Sequence, residues 1–281
     1  MTSGNGVAAG ERTPFAPASR PMSLLPLRSL VLAAAVLFAG CATLGGANYY
    51  SIEQEWQLGQ QIEQQLRSEI QIVNDATLTR YVNDMGQRMV RQTNMAQLPW
   101  RFYVVRDGSI NAFNVPGGLV YVHTGLIAQS GSAAELAGAI AHEIAHGVRR
   151  HGTQRVSAAN EANVIAGAVL GGNPGVATQI AAQIAAQGAF ASFSRSDERE
   201  ADAMGVQLMA ATSYDPAGLA RMLERLAQQE RGGGVALFRS HPLSSERVQN
   251  VRAAAARVSR SGLRMDEPGF ASVRSRAASL R

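Results

Sequence analysis

Ala141-His142-Glu143-Ile144-Ala145-His146 is the stretch that decides how this chain is read. Two histidines four positions apart share one face of a helix, a turn from each other. Both can therefore reach a single metal ion at about 2.0–2.1 Å. Glu143 lies roughly 100° round the helix from His142, beside the place where an attacking water would sit. A bound metal lowers the pKa of such a water, and a carboxylate there can take its proton as it attacks a carbonyl. The pattern is the H-E-x-x-H signature of zinc peptidases.

The flanks predict the helix. Ser132 is the expected N-cap, with Glu135 three residues on to complete a capping box. Leu136, Ala137, Ile140, Ile144 and Val148 make an apolar stripe at helical spacing. His142 and His146 fall on the opposite side with Glu135 and Gly138, and the missing side chain at Gly138 is expected to leave room for a cleft. Arg149, Arg150 and His151 form a cationic cluster at the C-terminus, where the helix dipole favours it. His151 is five residues past His146, so on a continuing helix it projects from a different face and is not expected to be a ligand.

A catalytic zinc needs a third protein ligand and an open position. The next candidate helix begins Ser194-Arg195-Ser196-Asp197-Glu198-Arg199-Glu200-Ala201-Asp202. Glu198 and Asp202 are i and i+4 and share a face. Glu198 can bind the metal while Asp202 reaches the free N–H of a ligand histidine, which fixes the ring's tautomer and orientation. Glu200 is the rival, but its i+4 neighbour is Met204, which can do neither job.

Upstream, 51–91 reads as two helices. Trp56, Leu58, Ile62, Leu66 and Ile70 stripe the first; Leu78, Tyr81, Val82, Met85 and Met89 stripe the second. Asn74-Asp75 is the break and cap between them. Trp100–Arg106 and Leu119–His123 read as strands. Between them, Asn111, Ala112 and Phe113 lead to a bend at Pro116-Gly117-Gly118. This segment is expected to be an exposed sheet edge beside the metal helix, to which a substrate chain could add as an extra strand; an ordinary hairpin is the alternative. His123 is taken as structural. The segments 162–170 and 176–193 are apolar and broken by Gly171–Gly175. They read as a helical hairpin packed on the catalytic helix, with a lid as the second choice.

The composition of the 281-residue chain is globular, with 46% hydrophobic and 17% charged residues. All 26 basic residues are Arg, which lifts the pI to about 10 while the net charge is only +5. With no basic run, that surplus does not point to nucleic acid. Met22 to Cys41 has the form of an export leader: Arg28 supplies positive charge, and Leu30–Ala39 is an apolar run too short to span a bilayer. Phe38-Ala39-Gly40-Cys41 resembles the lipobox of bacterial lipoproteins, which implies that Cys41 is lipidated and anchors the chain to a membrane. Ala42 after it favours the outer membrane, facing the periplasm; ordinary cleavage to a soluble periplasmic protein is the alternative. Cys41 is the sole cysteine, so an internal disulfide is impossible.

Four matches in order carry a wider resemblance. They are Asn111-Ala112-Phe113 with Pro116-Gly117-Gly118; His142 to His146; Ser194-Arg195 with Glu198 and Ala201-Asp202; and Ser240-His241-Pro242. From about Glu53 to Val258 the chain resembles the gluzincin metallopeptidases that include HtpX, the CAAX prenyl protease and BepA. Its length and single leader are similar to the short outer-membrane lipoprotein members such as LoiP. The resemblance implies an α+β, mostly helical zincin-type domain with a small mixed sheet over 53–258. Before it stand a start and leader at 1–40 and a linker at 41–52, and a C-terminal extension follows at 259–281. It further implies one Zn2+ per chain held by His142, His146 and Glu198, with Glu143 as general base and Asp202 in support. The expected activity is endopeptidase action on misfolded or misassembled envelope proteins. A lipoprotein chaperone or assembly factor, or a substrate-specific processing protease, are the alternatives. His241 is expected near the metal, either donating to the tetrahedral oxyanion or filling the open position and holding the enzyme latent.

Overall fold

A computed structural model of the chain describes residues 48–159, 174–188, 192–230 and 240–280. The leader, Cys41 and the 162–170 segment lie outside them. Helix α1 (Ile52–Glu69) starts at a capping box in which Ser51 and Gln54 exchange side-chain bonds to each other's backbone. Asp75 caps α2 (Ala76–Val90) by accepting from the N–H groups of Thr77 and Leu78. These caps satisfy backbone donors that a helix start leaves free.

Three strands follow: β1 (Arg101–Val105), β2 (Ala112–Val115) and β3 (Leu119–His123). The sheet order is β1-β3-β2, with β1 parallel and β2 antiparallel to β3. Gly117 and Gly118 make the β2–β3 turn at φ +86° and +78°, which side chains rarely adopt. Strand β3 is buried on both faces. Val120 and Val122 join a large core with α2, while Leu119 and Tyr121 join a smaller core with Leu58, Ile62 and Leu66 of α1. The two-residue period of a strand makes that division.

The chain continues through α3 (Thr124–Gln129), α4 (Ala133–Arg149), α5 (His151–Ala159), α6 (Pro174–Gln187), α7 (Arg195–Ala211), α8 (Ala217–Glu230), α9 (Ser245–Ala256) and α10 (Phe270–Ala278). Helix α4, which carries the motif, is the centre of the large core, and every residue from Ala133 to Val148 is buried. It packs most extensively against α7 and α8. The result is the expected α+β fold, mostly helical with one small mixed sheet. None of the described helices is long and apolar enough to cross a membrane.

Several local expectations are corrected by tertiary packing. Gly138 does not open a cleft: a Cβ there would stand 2.8 Å from the Leu219 Cα, so the missing side chain lets α8 press onto α4. Ser132 does accept from the Glu135 N–H, at 3.3 Å, but the Glu135 carboxylate turns to the Gly131 N–H and to Arg225. Helix α6 packs on α1 rather than on the catalytic helix. Trp56 is 37% exposed although it sits on the expected stripe of α1. The residues after 258 are part of the core: Phe270, Val273 and Ala277 are buried in it. The Ala133 N–H at the start of α4 donates to Asp266 at 2.8 Å.

Candidate active site

Three elements converge on one point. Helix α4 supplies His142 and His146, α7 supplies Glu198 and Asp202, and the turn before α9 supplies His241. One ligand-capable atom from each of His142, His146, Glu198 and His241 lies within 4.8 Å of the others, and all four residues are buried. His142 Nε2 is 3.1 Å from His146 Nε2 and 3.2 Å from His241 Nδ1. Glu198 Oε1 is 3.3 Å from His146 Nε2 and 3.0 Å from His241 Nδ1. Glu200, the rival carboxylate, is out on the surface, 3.9 Å from Arg149.

The donor set fits a divalent metal on two grounds. Ring nitrogens and a carboxylate oxygen crowd together at 3.0–3.3 Å, close enough for one cation to be held by all of them. The charges agree: Glu143, Glu198 and Asp202 are buried around the cluster against one buried guanidinium, Arg247. With the imidazoles neutral, as ligation of a metal requires, that leaves an excess of two negative charges, which a divalent cation would offset. Imidazole and carboxylate donors in this number suit zinc.

Glu143 is 1% exposed, with Oε1 3.4 Å from His241 Nε2 and Oε2 without a hydrogen-bond partner. Burial raises its pKa, opposed by the neighbouring His241 and His142 and by the backbone N–H of Asn114. A buried carboxylate with raised pKa and a free oxygen beside a metal cluster is equipped to take a proton from water.

The motif histidines are supported from behind by different groups. His142 Nδ1 is 3.0 Å from Asp202 Oδ1. Burial alone would lower the His142 pKa, but Asp202 and Glu198 outweigh it and push it up to about 10. His146 Nδ1 faces His151 Nδ1 at 2.9 Å. Its pKa goes the other way, well below the usual value, with burial the leading cause. With a metal on Nε2, His146 would carry its proton on Nδ1 and donate to His151. Phe193 stacks on the His146 ring at 4.0 Å.

Sequence reasoning missed two of these residues. His151 reaches His146 because Arg150 takes a left-handed conformation, φ 60°, which ends α4 and starts a new helix; on a continuing helix it would point elsewhere. Arg247 Nε and Nη2 each lie 2.8 Å from the Asp202 carboxylate, and Nη1 contacts Glu198 and donates to the Pro242 carbonyl at 3.1 Å. It holds both carboxylates and the turn carrying His241. Its only local signal is its place six residues after that histidine.

The expected substrate edge is more enclosed than predicted. Strand β2 is at the sheet edge and packs beside α4, but all four of its residues are buried. Asn111 is buried too and donates from Nδ2 to the Gly188 carbonyl at 2.8 Å, while Phe113 stacks on Tyr121. Gly188 follows α6, so the chain there meets Asn111 just ahead of β2, whose own residues are buried where the sequence suggested an exposed edge.

A buried H-E-x-x-H helix, a carboxylate donor from a second helix and a small sheet alongside define a metallopeptidase domain. The model for Peptidase family M48 matches residues 76–255, and the chain belongs to this family. It is 30% identical over 250 residues to a "Beta-barrel assembly-enhancing protease" of Yersinia pestis, covering 85% of this chain and 50% of that protein. The protein of the same name in Escherichia coli (strain K12) is 31% identical over 213 residues, covering 72% of this chain and 44% of its own length. "Metalloprotease LoiP" of the same strain is 30% identical over 178 residues, 62% of this chain and 68% of that one. The chain thus spans about half the length of the beta-barrel assembly-enhancing relatives it matches.

Proposed function

We propose that this chain is a zinc-dependent endopeptidase of the bacterial envelope that cuts misfolded or misassembled periplasmic and outer-membrane proteins. The observation that carries the reading is Glu143, buried with one free carboxylate oxygen at the edge of a four-donor cluster. A protein that only bound clients would gain nothing from desolvating a carboxylate there. The relatives named as proteases of beta-barrel assembly support the location and the substrate class.

In this reading His142, His146 and Glu198 hold zinc, which when bound supplies Lewis acidity toward a carbonyl and acidifies water. Glu143 takes the proton from the attacking water and passes it to the leaving amine. Asp202 and Arg247 keep His142 and Glu198 in position. His241 is the fourth donor of the cluster; in this reading it fills the position that a substrate carbonyl would take and holds the enzyme latent. Cys41 carries the lipid anchor, on the outer membrane and facing the periplasm.

A casein-cleavage time course with zinc-loaded wild type, Glu143→Gln and His241→Ala tests this. Wild type is expected to cleave slowly, His241→Ala faster, and Glu143→Gln not at all. Equal cleavage by wild type and Glu143→Gln would overturn the assignment of the base. Slower cleavage by His241→Ala would give that residue the oxyanion role instead.

A further inference from the structure

Helix α1 turns apolar side chains two ways. Leu58, Ile62 and Leu66 are buried against the sheet. Ile52 and Trp56, four positions apart, lie about 100° further round the helix and are 43% and 37% exposed. Among the described residues, these two and Tyr49 are the large hydrophobic side chains left open to solvent. Ile52 and Trp56 also line a surface groove that continues along Met95, Leu98 and Trp100. We propose that this face of the domain lies on the bilayer to which Cys41 is anchored, with Ile52 and Trp56 in contact with lipid. The inference rests on the lipid-anchor reading above.

Two observations lead there. The first is place in the chain. Asn48 comes seven residues after Cys41, so the tether between them reaches at most about 25 Å. Asn48 donates to Thr153 at 2.7 Å and the Tyr49 N–H to Ser157 at 3.2 Å, both on α5. The chain therefore enters the domain at a fixed point, a few residues ahead of Ile52. The second is chemistry. The charged residues of the groove, Glu55 and Arg150, are paired with each other at 2.6 Å, so contact with lipid would bury no unpaired charge. Exposed Glu53 and Gln57 come next round the helix and form a polar rim. An indole, apolar with one N–H, suits the level of the headgroups, where such rings concentrate. Apolar surface held in water gains by leaving it. The seating has a consequence for the metal-binding cluster. Gly147 and Arg150, at the end of α4, also line the groove. Arg150 is four residues past His146 and eight past His142, roughly 6 and 12 Å along a helix. A bilayer met at this end holds the cluster close to the membrane surface, where a protein that fails to insert would be found.

The test follows Trp56 by its fluorescence. In the first arm the full chain, made with its leader in a bacterial host that has an outer membrane, is reconstituted into vesicles of phosphatidylethanolamine and phosphatidylglycerol. The acyl chains of these lipids carry bromine, which quenches tryptophan on contact. Emission of the vesicle-bound wild type is expected to be quenched, and most of that quenching to be lost in Trp56→Phe, because the other tryptophan, Trp100, is buried. Vesicle-bound protein with unquenched emission, or with equal quenching in wild type and variant, would overturn the face and leave the anchor standing. In the second arm the chain from Ala42, which keeps every described residue, is sedimented with the same vesicles free of bromine. Wild type is expected to bind, and the double variant Ile52→Asp, Trp56→Asp to bind about tenfold more weakly, with circular dichroism confirming that it is folded. If the full chain is not held by vesicles in the first arm, the anchor reading fails and the second arm decides alone. A tenfold loss in the double variant then upholds the face; equal binding, or none by wild type, overturns it. A dimer that Trp56→Asp dissociates would give the face to a second copy and overturn the lipid assignment.

Discussion

His142 and His146 are one turn apart on the same helix, yet their rear nitrogens meet opposite surroundings. Behind His142 stands the Asp202 carboxylate, itself clamped by Arg247. Behind His146 are the neutral ring of His151 and the stacked face of Phe193. A carboxylate partner raises the basicity of its imidazole, whereas a neutral acceptor only orients it. The contrast teaches that two residues with identical roles in a motif need not be equivalent. One is held by charge and couples the centre to α7 and α9; the other is held by shape, by His151 at the start of α5 and Phe193 just ahead of α7.

Breaking the charged side at its source should have the largest effect. Arg247→Met leaves the buried carboxylates of Glu198 and Asp202 without their guanidinium, and removing one partner of such a pair costs about 3–5 kcal/mol. The urea midpoint of the zinc-loaded protein should fall accordingly; an unchanged midpoint would mean that Arg247 is not what holds the two helices at the centre.

The next comparison is direct. Asp202→Asn keeps the shape but removes the charge behind His142, and zinc affinity measured against a competing chelator should drop about 100-fold. His151→Leu removes the acceptor behind His146 and should cost nearer 10-fold, with His151→Asn restoring part of it because its amide oxygen can accept from Nδ1–H. Equal losses from the two sides would erase the distinction.

A further effect is a pH slope in protein stripped of metal. The His142 pKa is raised in the folded state, so the stabilisation from its protonated ring is whole below the ordinary imidazole value of about 6.5. It fades as pH rises through about 10. Urea midpoints taken across that window should decline in wild type and in His151→Leu, and decline less in Asp202→Asn, where the raising carboxylate is gone. A matching slope in Asp202→Asn would show that Glu198 alone sets the shift.

Read without coordinates, the chain already yields what depends on neighbours a turn or a strand step away. The helix of the motif, the i and i+4 pairing of Glu198 with Asp202, the caps at Asp75 and Ser132, and the strand at Leu119–His123 follow from local geometry and hydrophobic period. Those signals were enough for a mostly helical chain with a few strands and for five of the residues at the centre, His142, Glu143, His146, Glu198 and Asp202. His241 became legible only through resemblance to a family, since a histidine before a proline in a loop has no period to place it.

The remainder was decided by tertiary structure, because it depends on where distant segments meet. His151 reaches His146 through one left-handed residue, Arg150, and a single turn in φ redirects everything after it. Arg247 finds Asp202 across 45 positions of sequence, a distance at which side-chain pairing leaves no trace in spacing. The role of Gly138 reverses for the same reason: an absent side chain signals room, and only the approach of Leu219 shows that a backbone already fills it.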